Sequence, residues 1–464
     1  MKNILLLYFI MVFGSKSYSQ TILPFGLGIS DTSAISLGPV RCVFVDTINN
    51  ELYAGGGFEY AGNKKCNGIA RWDGTDWFPL GTGILDTIPN SSLGNLTDII
   101  RYKNDIYIAG FMTIAGGKEA TGIARWDGNN WHSVGRFKST GANLQGVVFS
   151  MEVFNNELYV VGGFDTINNI ISDGVAKWDG QNWTDLSQGI PTDCYGDGIV
   201  ALLHFNNELY IGGNFNFFGG GEKLLKRVGN TWIQVGSTIT GDGILERLKI
   251  YQNKLYVSGY FSSLSGNADN NMIYLDNNVF QSTAGGVLPS NCEDMFEHNG
   301  ELYVSGKINI AGYQPIVGIA KWNGSQWLNS HITSVEETFS PNGTISRMAE
   351  YNGNLVVSGS FSNINGVSVN NIAMIDFSTV GFQLNQQNKN LKIFPNPASE
   401  VLNIQLDKSE QKGKVRLYNQ IGQQVYQQAN GSLQNIVVAD FAKGIYVVEV
   451  ETDKGVLRQK VVIE

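Results

Sequence analysis

The chain has 464 residues and a formal net charge of −9; 42% of residues are hydrophobic, 16% are charged and Gly numbers 56. That length allows two or three domains, and the hydrophobic share is ample for a core. Low charge with abundant Gly, Asn and aromatics favours strands and tight turns over helices. No basic stretch stands out, which argues against a nucleic-acid partner.

The N-terminus reads as a secretory signal. Lys2 precedes an apolar run over residues 4–13, too short to span a bilayer. Small residues at Ser17 and Ser19 place cleavage before Gln20 or Thr21, so residues 1–20 are expected to be a signal peptide. No later stretch suits a transmembrane segment. Export permits disulfides. Cys42, Cys66, Cys194 and Cys292 allow three pairings, which spacing does not resolve.

Between residues 42 and 385 one pattern recurs seven times. Its clearest copy is Glu157-Leu-Tyr-Val-Val-Gly-Gly-Phe164, a variable stretch, then Gly174-Val-Ala-Lys-Trp-Asp-Gly180 and Trp183. The copies align on Leu52, Ile106, Leu158, Leu209, Leu255, Leu302 and Leu355, at spacings of 54, 52, 51, 46, 47 and 53. A period of about 50 residues with four short β-type runs, A to D, predicts a β-propeller of seven blades.

Strand A carries apolar columns that predict inter-blade contacts. Cys42 and Cys292 align with Leu96, Val148, Ile199, Leu245 and Ile345 and read as small hydrophobes. A Cys42–Cys66 bridge within the first blade is the alternative. Strand B carries a recurring Gly, which marks a bulge or close backbone approach. An Asp-Gly or Asn-Gly turn closes strand C. Strand D opens with Trp77, Trp131, Trp183, Trp232 and Trp327, with Phe280 and Val380 in the other copies. Their repetition reads as inter-blade packing.

The hydrophobic-Tyr-Val-x-Gly-Gly run, the aromatic of strand C and the Trp of strand D resemble the kelch and galactose-oxidase-like propeller repeat. The Gly-Ile-Ala-Arg-Trp-Asp-Gly-x-x-Trp pattern is also similar to delta-type and cortical polarity-marker repeats. WD-repeat propellers differ, because the Gly-His that precedes their Trp-Asp is missing. The resemblance implies a fold and no particular activity. Leu23-Pro-Phe-Gly-Leu-Gly-Ile29 echoes Phe78-Pro-Leu-Gly-Thr-Gly-Ile84. The N-terminal segment is therefore expected to add the outer strand of blade seven, where residues 377–384 fit the repeat poorly. Closure removes exposed edges.

The propeller is placed at residues 21–385 and a linker at 386–390. Residues 391–464 hold short alternating strands separated by turns, which suits a small Ig-like β-sandwich. Phe394-Pro-Asn-Pro-Ala-Ser399, Val401-Leu-Asn-Ile404, the run ending at Gly422, Gly444-Ile-Tyr-Val-Val448 and Lys460-Val-Val-Ile463 follow in order. The domain resembles the type A C-terminal sorting domain of the type IX secretion system of Bacteroidetes. That resemblance implies Pro395, Asn396, Pro397, Gly422, Gly444 and Lys460 as motif residues, and the secretion machinery as partner. It also implies a secreted or outer-membrane surface-attached protein. Many members end in Lys, whereas Glu464 stands here.

Chemistry is sparse. His132, His204, His298 and His331 show no ligand spacing, and no metal or cofactor is expected. The two His, two Tyr and crosslinked Cys of a copper-radical oxidase cannot be assembled, and a Gly-x-Ser-x-Gly is missing. The best candidate surface is the face where the long B–C and D–A loops open, with the mouth of the central channel. Eight positions before the aligning Leu, strand A shows Asp98, Ser150, Arg247, Asp294 and Arg347, with Phe44 and Ala201 in the other copies. These residues are expected to line the channel, either as a satisfied ring of charges or as a clasp for a small polar ligand. Two functions follow. One is a non-catalytic binding or adhesion module for an extracellular glycan or protein. The alternative is a polysaccharide-active hydrolase or lyase using channel-mouth carboxylates such as Asp98 or Asp294.

Overall fold

A computed structural model describes residues 20–30, 39–87, 94–139, 145–190, 198–215, 222–236, 239–240, 245–261, 263–264, 271–338, 342–377, 391–406, 412–419, 424–432, 435–452 and 455–464. The expected signal peptide up to residue 19, Cys194, Val380, the expected linker at 386–390 and Gly422 lie outside them. The described residues are all-β, and no helix is long and apolar enough to cross a membrane. Contacts divide the chain into two compact units, Ile22–Asp376 and one carrying Phe377–Glu464.

In the larger unit each repeat builds one antiparallel sheet in the order A-B-C-D. Repeat two shows the pattern: Asn95–Tyr102, Asp105–Phe111, Ile123–Trp126 and Trp131–Ser133. The A–B turns set the register. Asn155-Asn156, Asn206-Asn207 and Asn299-Gly300 all hold positive φ, between 48° and 76°, the geometry of a two-residue hairpin turn. The first strands of successive repeats are neighbours, and Thr344–Tyr351 of repeat seven lies beside Val40–Asp46 of repeat one. The ring of first strands therefore closes in a propeller-like arrangement.

The core lies in the seams between sheets. Leu96, Ile99 and Ile108 of repeat two pack with Ile69, Leu80 and Ile84 of repeat one. The closing seam joins Ala349, Tyr351 and Val356 of repeat seven to Leu52, Trp72 and Trp77 of repeat one, around Phe25. Strand Thr21–Pro24 completes the repeat-seven sheet beside Ile372–Asp376. Each strand D Trp crosses its seam. Trp131 donates its indole N–H to the Leu80 carbonyl at 2.8 Å, and Trp183 to Val134 at 3.0 Å. Trp77 reaches the Phe25 carbonyl in the same way, at 3.1 Å. Phe25 thus stands where Leu80 stands in the echoed segment. Gly26 and Gly28 repeat the φ values of Gly81 and Gly83 to within a degree.

Every strand A carries a β-bulge opposite the recurring strand B Gly. A Cβ at Gly56, Gly162 or Gly359 would stand 2.0 Å from the carbonyl oxygen of the bulged strand, so only Gly fits. The B–C loops are more ordered than their variability suggests. In repeat two the loop forms a hairpin, Ile114–Ala115 and Lys118–Glu119, that pairs with Ile84–Leu85 from the end of repeat one. Its turn covers the Trp131 indole, which a Cβ at Gly116 would approach to 2.6 Å. These hairpins knit neighbouring repeats together.

The smaller unit has two sheets. One joins Leu391–Phe394, Val401–Leu406 and Ile436–Val437; the other joins Lys412–Asn419, Gln424–Ser432, Gly444–Thr452 and Gly455–Ile463. Leu402, Ile404, Val415, Leu417, Val448, Val450 and Val461 fill the space between them.

Candidate functional site

Repeat one corrects the expected ring. Its A–B turn has four residues, 47–50, where repeat two has two. Asp46 organises the longer turn: its carboxylate accepts the Ile48 N–H at 3.2 Å and the Asn49 amide at 2.8 Å. The extra residues shift strand A by two positions. Cys42 pairs with Gly55 as Asp98 pairs with Ala109, Arg247 with Ser258 and Arg347 with Ser358. The ring is therefore Cys42, Asp98, Ser150, Ala201, Arg247, Asp294 and Arg347, and Phe44 does not belong to it. Cys42 leaves the apolar column, which Val40 fills, whereas Cys292 stays in it, opposite Gly306. Cys42, Cys66 and Cys292 are all buried and free, so the Cys42–Cys66 bridge does not form. Burial raises the Cys42 thiol well above its ordinary value, and the nearby Asp98 charge adds to the rise.

The two aspartates act as clamps between sheets. Asp98 accepts the N–H of its own neighbour Ile99 at 2.8 Å and that of Met151 in repeat three at 2.7 Å. Asp294 does the same with Met295 at 2.9 Å and Met348 in repeat seven at 2.7 Å. Both residues are half-buried. Burial pushes the Asp98 carboxyl up to about 6, against the lowering effect of the Met151 N–H and of Arg247. Burial likewise raises Asp294, with Arg247 opposing.

The two arginines converge on one backbone carbonyl. Arg247 donates Nε–H to the Glu293 oxygen at 3.1 Å, and Arg347 donates to the same oxygen at 2.9 Å. Above the ring a cavity of about 340 Å³ is lined by Arg41, Thr97, Glu293, Ser346, Arg347 and Ser360, among others. The bulge explains which residues reach it. Arg41, Thr97, Glu293 and Ser346 are the extra residues of their bulges, adjacent to the ring residues yet outside the alternation of the strand. Sequence periodicity missed them for that reason. The long B–C loops, expected to open on the candidate face, form hairpins in repeats one, two, three and seven that pair with a strand of the preceding segment.

Many of the other charges pair between strands. Arg71 pairs with Glu51, Arg125 with Asp105, Lys177 with Glu157, Lys226 with Glu208 and Lys321 with Glu301, all between strands B and C. Between repeats, Arg101 pairs with Asp46, His204 with Glu152 and His298 with Glu350. His298 fills the aromatic slot that Tyr102 fills in repeat two, edge-on to Tyr303. Asp73, Asp127 and Asp179 cap the C–D turns by accepting two N–H groups each. Among the described residues no three His, Cys, Asp or Glu side chains gather as a metal site.

In the smaller unit the motif residues meet the last strand. Asn396 accepts the Val462 N–H at 2.8 Å, and Ala398 bonds the Val462 carbonyl at 2.9 Å. Gly444 pairs with Ile463, and Lys460 with Val447. Pro395 and Pro397 flank Asn396 and carry the chain into this contact.

Residues 392–464 match the family described as a secretion system C-terminal sorting domain. This type IX sorting tail directs the protein to the cell surface or the extracellular space and implies engagement of the type IX machinery. No curated protein matches the chain. Among solved structures, the extracellular domain of a one component system from B. thetaiotaomicron is similar at 12% identity and a TM-score of 0.46, covering 97% of this chain and 58% of that one. A hybrid two component system's extracellular domain from the same organism gives 11% and 0.45, covering 94% and 56%. The chain thus spans under two thirds of each. The GH74 enzyme of Niastella koreensis gives 14% and 0.40, covering 95% and 67%.

Proposed function

We propose that the chain is a non-catalytic binding module: a kelch-like, seven-bladed β-propeller, made with a signal peptide and exported by its sorting tail. Its ligand, a glycan or a protein, is held at the mouth of the central channel. Residues 21–385 form the propeller and 391–464 an Ig-like sandwich in this reading. The cyclic order of the first strands supports the blade number, and the Gly opposite each bulge supports the repeat type. One observation carries the binding role. Arg41 and Arg347 face one cavity, and neither has an ion-pair partner among the described residues. Hydrolysis is the weaker reading, because both oxygens of Asp98 and of Asp294 are occupied by backbone N–H groups.

A glycan array and a surface-protein pull-down with the full chain test this, beside the Arg247→Ala, Arg347→Ala double variant. Selective binding lost in a folded double variant is the expected result. Selective binding retained moves the site away from the mouth, and polysaccharide cleavage by the wild-type protein contradicts the non-catalytic reading.

A further inference from the structure

The chemistry of the mouth cavity narrows the ligand, provided that the mouth is the binding site as read above. Its two lining guanidiniums lack carboxylate partners within ion-pair distance among the described residues. Two like charges in one cavity favour an anion, and a guanidinium fork matches a carboxylate in two parallel hydrogen bonds. Arg347 is already positioned, since the Glu293 and Ser346 carbonyls hold it at 2.9 and 2.5 Å. A preset donor loses less freedom on binding.

The rest of the lining suits hydroxyl groups. Thr97, Thr344, Ser346 and Ser360 face the cavity, and Glu293 is its one lining carboxylate among the described residues. Burial raises Glu293 above the usual carboxylate range, with the Ser346 hydroxyl opposing. The charges of Arg247 and Arg41 also act against that rise, so one lining carboxylate faces more than one guanidinium. One repeat further round, Phe149 occupies the bulge position of Thr97 and meets Phe111 at 6.0 Å between ring centroids. A volume of about 340 Å³ lies at the small end of ligand sites and fits one or two sugar rings.

We infer that the mouth binds a sugar acid, its carboxylate on Arg41 and Arg347 and its hydroxyls on the Ser and Thr side chains beside them. Calorimetric titration of the full chain with D-galacturonate, D-glucuronate, D-galactose, D-glucose and acetate tests it. The uronates are expected to bind at least about tenfold tighter than the neutral sugars and acetate, a difference one charge-assisted hydrogen bond can supply. Arg41→Gln, at an exposed position, is expected to lose about tenfold or more of that affinity with an unchanged melting temperature. Arg347→Lys keeps the charge but removes the fork, and is expected to weaken uronates and acetate alike while leaving neutral sugars unchanged. An oligogalacturonide that binds tighter than the monomer identifies a polysaccharide source; equal affinity identifies free sugar acids. Neutral sugars binding as tightly as uronates, uronate binding unchanged in Arg41→Gln, or no uronate binding overturns the inference. If a neutral glycan instead binds the wild-type chain and is lost in the Arg247, Arg347 double variant, the sugar-acid inference falls while the mouth stands as the site.

Discussion

The two ends of the repeat unit treat charge differently. At the end of the A–B turns, acidic residues opening strand B meet Arg or Lys from strand C in repeat after repeat, and three further pairs tie neighbouring repeats. At the other end, Arg41 and Arg347 stand in a cavity without such partners. Repetition is the difference. A pair that recurs at one position holds the fold, because every sheet has the same need. A charge that occurs in one or two copies answers no such repeated need, and in the function proposed above the ligand supplies the ion-pair partner that Arg41 and Arg347 lack among the described residues.

That contrast can be broken at its foundation first. Removing residues 21–29 deprives the repeat-seven sheet of its outer strand and Trp77 of its acceptor. The shortened chain is expected to lose its cooperative thermal transition by circular dichroism. The milder Phe25→Ala empties a fully buried site between Trp72, Trp77 and Tyr351 and should cost about 3–5 kcal/mol in chemical denaturation.

Next in size are the bulges that bring Arg41 to the mouth. Gly56→Ala, opposite the Arg41 bulge, forces a Cβ to 2.0 Å from the Pro39 carbonyl and should cost about 1–3 kcal/mol or more. Gly163→Ala meets nothing closer than 3.6 Å and should stay within about 0.5 kcal/mol of wild type. Equal effects would remove the physical basis of the Gly column.

The clamps come third. Asp98→Asn turns one acceptor into a donor facing a backbone N–H, which should cost about 1–3 kcal/mol. The wild-type residue also leaves a pH signature. Its folded value near 6 exceeds the ordinary 3.8, so between those values the folded state keeps a proton that the unfolded chain has released. Stability from this group therefore falls as pH rises from about 4 to about 6. Denaturation curves across that window should lose this slope in Asp98→Asn.

Much of this was legible in the sequence. The period, the strand order, the Trp seams and the N-terminal closing strand follow from patterns that repetition amplifies. The register of Cys42 was not, since aligning the copies on Leu52 hides two extra residues in the turn at 47–50. Phe44 among polar residues was the available signal. Arg41 was hidden by the bulge, where the two-residue alternation fails. The B–C hairpins escaped notice because strands of two residues carry no period, although the Gly62-Asn63 and Gly116-Gly117 turns mark them.

The smallest perturbations compare the two ends directly. Arg71→Gln breaks a partly exposed pair with Glu51 and should cost about 0–1 kcal/mol. Arg41→Gln should cost no more. The most direct measurement is one glycan array read with wild type, Arg71→Gln and Arg41→Gln, each shown to be folded. The division of roles predicts that Arg71→Gln keeps the wild-type binding profile and Arg41→Gln loses it. A profile lost equally by both, or kept by both, would contradict it.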